Sequence, residues 1–373
     1  MHRTPRFYTI GLIAGLACLA MFSLWYKSYA GFARESPASN AGLNEELKAF
    51  AALNPIDVHA HVFKRDPAFV EMLRQLHLHI VDIVVVDDTS PRLKSLKWQV
   101  DNILSVVRSS DGHALFCTSF DPYKLNEPEF SQQAIKQLDE NFAQGAIAVK
   151  IWKNIGMEIK KANGKFVLPD DPVFGPIYQD IAGHNKTMIA HIAEPDQAWL
   201  PPNPKDPSNS YYTENPQWYM YGKPDHPSKA TILAARDRMV AENPKLRVVG
   251  AHLGSMEADL DELGRRFDRY PNFAVDTAAR IPNLMVQSPQ KVRAFLIKYQ
   301  DRVVYGTDLE LMPDRDTQKA IEEWEVAYLN DWKYFAEAEC TDERGHKIPG
   351  LSLPTAVIRK LFHENAVHWF PGI

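Results

Sequence analysis

From Ile56 onward, eight short runs rich in β-branched residues recur along the chain, separated by stretches with helical spacing. The runs are IDVHAH (56–61), IVDIVVVD (80–87), ALFCTSF (114–120), AIAVKIW (146–152), TMIAHI (187–192), RVVGAH (247–252), FAVDT (273–277) and RVVYGTD (302–308). Between them lie patterns such as PAFVEMLRQLHL, SQQAIKQLDENFA, HPSKATILAARDRMVAEN and PQKVRAFLIKYQ. Apolar runs of this length between amphipathic helices read as a parallel sheet covered on both faces. Eight closes a (β/α)8 barrel, and the roughly 315 residues that follow suffice for one with insertions. An open doubly wound sheet would call for a Gly-rich phosphate turn after an early strand, and no G-x-G-x-x-G or Walker sequence occurs. The expected fold is an α/β TIM barrel over residues 56–373.

An N-terminal hydrophobic segment precedes it. Arg3 and Arg6 lead into an uncharged run from Phe7 to Tyr26, closed by Lys27. Twenty helical residues reach about 30 Å, the width of a hydrocarbon core. Residues 1–30 are therefore expected to be a signal peptide, cleaved near Ala30, or a membrane anchor over 7–27. Either places the remainder in a periplasmic or other extracytoplasmic space. Cys18 follows Leu16-Ala17 as in a lipobox, but Gly15 stands where a large aliphatic residue is needed. Without residues 1–30, 39 basic residues face 47 acidic ones, a net −8, with no basic run. Affinity for nucleic acid is not expected. Residues 31–55 read as a linker and a short lead-in helix. Three cysteines cannot make a disulfide framework, and no C-x-x-C occurs.

The polar residues sit at one end of the strands. His61 ends the first, Lys150 lies near the end of the fourth, and His191, His252 and Asp308 close the fifth, sixth and eighth. Active sites of barrels are built at that C-terminal rim. His59 and His61 are two apart, so on a strand both imidazoles point to one side, as does Asp57. Imidazoles and a carboxylate gathered from several strands form a set of N and O ligands for a divalent metal. A lone strand-end histidine is more often structural, and H-x-H alone is weak; four histidines and an aspartate at the same ends are not. Asp57, deeper in its strand, is expected to be a supporting or structural acid. The other histidines fall on helices, loops or strand starts and are read as structural.

At these residues the chain resembles the amidohydrolase superfamily, in the amidohydrolase-related branch that includes the aminocarboxymuconate semialdehyde decarboxylase-like proteins. The matching pieces are DVHAHV (57–62), AVKIW (148–152), DPVFGPIYQDIAGHNKTMIAHIAEP (171–195), NPKLRVVGAHLG (243–254), RYPNFAVDTAAR (269–280), YQDRVVYGTDLE (299–310) and IRKLFHENAVHWF (358–370). The resemblance implies that His59, His61, His191 and Asp308 hold the metal and that His252 stands beside the reacting group. It implies a cation that lowers the pKa of its water, Asp308 as the proton acceptor and His252 as stabiliser of the developing oxyanion. Zinc suits an N-rich set with one carboxylate; manganese, iron, nickel and cobalt stay open. One metal is expected, with Lys150 lining the site; a second ion held through Lys150 and His252 is the alternative. Arg280, just past the seventh strand, is a candidate for a substrate anion, with a surface or helix-capping role as the bland reading.

Two insertions bear on substrate choice. Residues 197–228 are Pro-, Tyr- and Trp-rich and are expected to form a lid or pocket wall. Residues 309–350 hold an amphipathic helix and a turn-rich tail. The first functional expectation is an exported metal-dependent hydrolase of an amide, ester or lactone. The alternative is a metal-dependent non-oxidative decarboxylase of a small carboxylated ring compound, and the third a non-catalytic binding protein. The partner is a small-molecule substrate; a homo-oligomer stays open.

Overall fold

The structure is a computed structural model that describes residues 45–90, 93, 95–204, 209–342 and 345–373. The hydrophobic segment at 7–27, its cleavage site near Ala30 and most of the linker lie outside the described residues. Among those described, no helix is long and apolar enough to cross a membrane.

The expected runs become strands β1 (Ile56–Val62), β2 (His79–Ile83), β3 (Ala114–Ser119), β4 (Ala146–Ile151), β5 (Thr187–Ala190), β6 (Arg247–Gly250), β7 (Phe273–Asp276), β8 (Val303–Val304) and β9 (Leu309–Leu311). All pair in parallel in the order β8-β7-β6-β5-β4-β3-β2-β1-β9. The eighth predicted run holds only the short β8, and β9 follows directly after it. Strand β8 pairs with β7 and β9 with β1, and the segment between bonds to both. Thr277 N donates to Val304 O (3.1 Å), Val58 N to Tyr305 O (3.0 Å) and Asp308 N to His59 O (2.8 Å). The ring therefore closes as a TIM barrel.

The helices form where the apolar spacing foretells them. Helix α1 (Glu45–Ala51) is the lead-in. Helices α2 (Pro67–Gln75), α3 (Leu96–Ser109), α4 (Phe130–Ala143), α5 (Gly175–Gly183), α6 (Lys229–Glu242), α7 (Leu260–Arg269), α8 (Pro289–Lys298) and α9 (Thr317–Ala336) cover the barrel. Asp66, Ser95, Ser228, Asp259, Ser288 and Asp316 cap six of them, each side chain accepting from a backbone N–H of the first turn. The tail after α9 forms a small hairpin, Glu339–Thr341 with Lys347–Pro349.

Two apolar layers share the sheet. One lies between strands and helices; the other fills the barrel with Ile56, Val58, Val81, Ile83, Ile189, Val249 and their neighbours. Trp369 and Phe370 of the C-terminal turn join this inner cluster, and Thr187 Oγ1 donates to Trp369 O. The foot of the barrel is stoppered with apolar side chains, so chemistry is confined to the opposite rim.

Candidate metal centre

Strand alternation decides which side chains reach the barrel interior. In β5, Ile189 faces inward while Met188 and Ala190 meet the helices, so His191 continues the inward row. Lys150 follows Ala148 inward, Asp276 follows Ala274, and Asp308 continues the row of Val304 and Gly306. Strand β1 needs a break. Ile56 and Val58 face inward, whereas Ala60 and Val62 face the helices. Its pairing with β2 shifts register between Asp57 and Ala60, which lets Val58 and His59 both turn inside.

That shift corrects one expectation: Asp57 does not share a side with His59 and His61. Its carboxylate faces outward, accepting from Tyr328 Oη (3.1 Å), Thr307 Oγ1 (2.5 Å), Thr307 N (3.1 Å) and His59 N (3.0 Å). It ties β1 to the residue before Asp308. A Cβ at Gly306 would lie 3.0 Å from that of His59, so this strand break needs glycine.

Three histidines are held in one tautomer. His59 Nδ1 donates to Asp276 Oδ2 (2.8 Å) and His61 Nδ1 to Ile83 O (2.8 Å). His252 Nδ1 donates to Ala278 O (2.9 Å), so its neutral Nε2 accepts from His191 Nδ1 (3.1 Å). Burial, aided by nearby cations and imidazoles, lowers the pKa of His59, His191 and His252, and the rings are neutral. The Nε2 atoms of His59, His61 and His191 turn inward; that of His59 faces Lys150 Nζ at 2.9 Å and that of His191 has no partner.

Those of His59 and His61 face Asp308 Oδ1 at 3.3 and 3.2 Å. The candidate ligand atoms of the trio lie within 4.8 Å of one another, a spacing that one cation could bridge. His191 Nε2 is buried without a partner. Its ring lies 4.2 Å from that of His252, which is 4.9 Å from that of His59. His191 thus opens on the same interior without joining the tight trio. These donors fit a divalent cation: N and O atoms, deprotonated, with an orphaned lone pair in reserve. Asp308 sits at a left-handed φ of 70°. Its pKa is lowered despite burial, so Asp308 is ionised.

Lys150 does not reach out to solvent. Its Nζ lies 2.9 Å from His59 Nε2, and burial lowers its pKa. Arg280 is buried as well, contrary to a surface role. Its Nη1 donates to Ala279 O (2.9 Å), its Nε has no partner, and Glu257 Oε2 stands 3.8 Å away. Its charge lowers the pKa of His191, His252 and Lys153, which puts it in their electrostatic neighbourhood.

The described part of the 197–228 insertion docks beside it. Lys153 pairs with Glu194 and donates to Tyr211 Oη (2.6 Å), and Tyr212 Oη donates to Glu194 (3.1 Å). The ammonium also lies 4.8–5.0 Å from the rings of Trp152, Tyr211 and Trp218. Trp152 meets His191 edge-on at 6.2 Å and Trp218 at 4.8 Å, so the insertion packs one side chain away from His191.

Sequence reasoning passed over Asp276, Lys153 and Glu194. Asp276 is the most consequential: buried and ionised, it accepts from His59 Nδ1 and, through Oδ1, from His252 N (2.7 Å) and Ala278 N (3.1 Å). The same signal that marked Asp308, an acid closing an apolar strand, was present in FAVDT.

The family model described as Amidohydrolase matches residues 112–372, which include Lys150, His191, His252 and Asp308 but not His59 and His61. No curated protein matches the chain. A dihydroxybenzoic acid decarboxylase from Polaromonas sp. JS666, solved with manganese and the inhibitor 2-nitroresorcinol, is 12% identical at a TM-score of 0.51, over 85% of this chain and 96% of that one. A 2,6-dihydroxybenzoate decarboxylase complexed with 2,6-dihydroxybenzoate is 14% identical at 0.49, over 82% and 88%. The 5-carboxyvanillate decarboxylase of Sphingomonas paucimobilis is 13% identical at 0.48, over 85% and 99%. At such identities the likeness is one of fold.

Proposed function

This chain belongs to the amidohydrolase family, and on that premise we propose that it is a metal-dependent non-oxidative decarboxylase of a small aromatic acid. The observation that carries this reading is Arg280: a buried guanidinium whose Nε makes no hydrogen bond, whose ion pair with Glu257 is loose at 3.8 Å, and whose charge reaches His191 and His252. A planar fork with spare donors in a dry site is a carboxylate receptor. The substrate class draws on the Polaromonas decarboxylase that shares the fold.

Loss of CO2 from an aryl carboxylate adds one proton at the ring carbon bearing it. The C–C bond then breaks, its electron pair stays with the ring, and CO2 departs. Arg280 binds and orients the carboxylate. Asp308, ionised and the most exposed of the four proposed ligands at 28% of its side chain, is placed to take up a proton from solvent and pass it to that carbon. His252, fixed by Ala278, steadies charge that develops on the substrate. Trp152 and Trp218 exclude water on the strand-5 side. His59, His61, His191 and Asp308 would hold a divalent cation, which would supply Lewis acidity. The donor set suits zinc, and the Polaromonas structure holds manganese.

Hydrolysis of an amide, ester or lactone is the second reading, favoured by an ionised Asp308 suited to take a proton from water. Export through residues 7–27 belongs to the same proposal, and fractionation that finds the full-length chain soluble in the cytoplasm refutes it. The deciding experiment is a panel of hydroxybenzoates, esters, amides and lactones offered to the metal-loaded protein, scored for CO2 and for hydrolysis. The account expects CO2 release that Arg280→Met suppresses. Hydrolysis of uncharged esters, indifferent to Arg280→Met, would overturn it.

A further inference from the structure

His252 is the site residue that strand geometry alone would misplace. In β6, Val249 and Ala251 face the barrel interior, while Val248 faces the helices. An extended chain would send His252 outward with Val248. Instead the backbone turns left-handed over four consecutive residues, with φ of 60° at His252, 54° at Leu253, 61° at Gly254 and 56° at Ser255. Single residues visit this region; a run containing three with side chains is strained and needs outside support.

That support comes from an unexpected side chain. The buried stripe of α6 runs Ile232, Ala235, Arg236, Met239, Val240, so an arginine occupies a core position. Arg236 is 0% exposed. Its Nη1 donates to Gly254 O (2.6 Å), Nη2 reaches Met256 Sδ (3.5 Å), and the guanidinium lies 4.9 Å from the Phe273 ring. Asp237 Oδ1 accepts from its Nε (3.1 Å) and Nη2 (2.7 Å), and Asp237 Oδ2 accepts from Arg266 Nε (3.1 Å). A Cβ at Gly254 would lie 3.2 Å from Arg236 Nη1, so this close approach also depends on glycine. Burying a guanidinium among apolar side chains is costly, and the bond to a strained carbonyl beside the site is what it secures.

We propose that Arg236 is a positioning residue: by clamping Gly254 O it holds the left-handed turn that aims His252 inward. The inference rests on His252 facing the reacting group, and it holds for either reaction discussed above. The test is a double-mutant cycle on the full-length, metal-loaded protein with Arg236→Met, Arg236→Lys and His252→Asn. Arg236→Met is expected to lower kcat about 10- to 100-fold, as for a misplaced catalytic group. KM and divalent-metal affinity should hold, and Arg236→Lys should recover part of the loss. In the His252→Asn background, Arg236→Met should cost nothing more. Nitrogen-15 spectra of the histidines should show the His252 Nδ1–H bond to Ala278 O weakened in Arg236→Met, whichever substrate is used.

Full kcat in folded Arg236→Met overturns the proposal, as does a loss that multiplies with that of His252→Asn. Should Arg236→Met not fold, Arg236→Lys in the same cycle decides on the same criteria. Unimpaired turnover in His252→Asn alone would instead sink the reading of His252, a separate outcome.

Discussion

Replacing Asp276 by Asn tests the tautomer argument with almost no change of shape. Asp276 Oδ1 accepts from two backbone donors, His252 N and Ala278 N, so the amide oxygen of Asn must take that position. The amide NH2 is then forced against His59 Nδ1, where the carboxylate accepted at 2.8 Å. Two donors cannot face each other, so the His59 proton moves to Nε2, the atom that looks at Asp308. To bind a metal, His59 must give up its bond to residue 276 and restore the tautomer. A hydrogen bond to a charged group is worth about 1.5–3 kcal/mol, which corresponds to a 10- to 100-fold loss of metal affinity. The assay is competition for Mn2+ or Zn2+ with a chelator of known affinity, with circular dichroism to confirm the fold. Wild-type affinity in a folded Asp276→Asn protein would refute the tautomer argument.

Other expectations follow from the same geometry. Arg280→Met should raise KM for a carboxylate substrate about 10-fold or more, with a smaller effect on kcat, read from steady-state kinetics. Asp308→Asn should cut turnover by about two to four orders of magnitude and leave the melting temperature nearly unchanged. Stripping the metal with a chelator should lower the melting temperature. Returning it at about 100 times its Kd should restore about 2.7 kcal/mol. Trp369→Ala opens a cavity at the barrel foot and should cost about 3–5 kcal/mol in denaturant unfolding, leaving metal affinity intact.

The barrel was legible because its signal is local. Each run of Val, Ile and Ala marks a strand, and caps such as Ser228 and Asp316 mark helix starts within one turn. His59, His61, His191 and Asp308 stood out because a polar residue closing an apolar strand is conspicuous, and the structure turns all four into one interior. What failed was parity. The register shift at Asp57–Ala60 adds a residue that alternation cannot see, and so Asp57 was placed on the wrong side. The same blindness applies to the break of the eighth strand, where Tyr305 to Asp308 passes from β7 to β1. His252 was read as a strand end, whereas β6 stops at Gly250 and a left-handed turn carries the imidazole. Asp276 and Lys153 were passed over because their roles depend on partners far along the chain, 217 residues away for His59 and Asp276.

Metal stoichiometry and ligation bear most directly on the centre itself. The full-length protein, loaded with Mn2+ or Zn2+ and dialysed, would be measured by elemental analysis and by X-ray absorption at the metal edge. One ion per chain in an N/O environment rich in imidazole is expected, retained in Lys150→Ala and lost in a His59→Ala, His61→Ala double variant. Two ions per chain that leave together in Lys150→Ala, or an ion that stays when both histidines are gone, would contradict it.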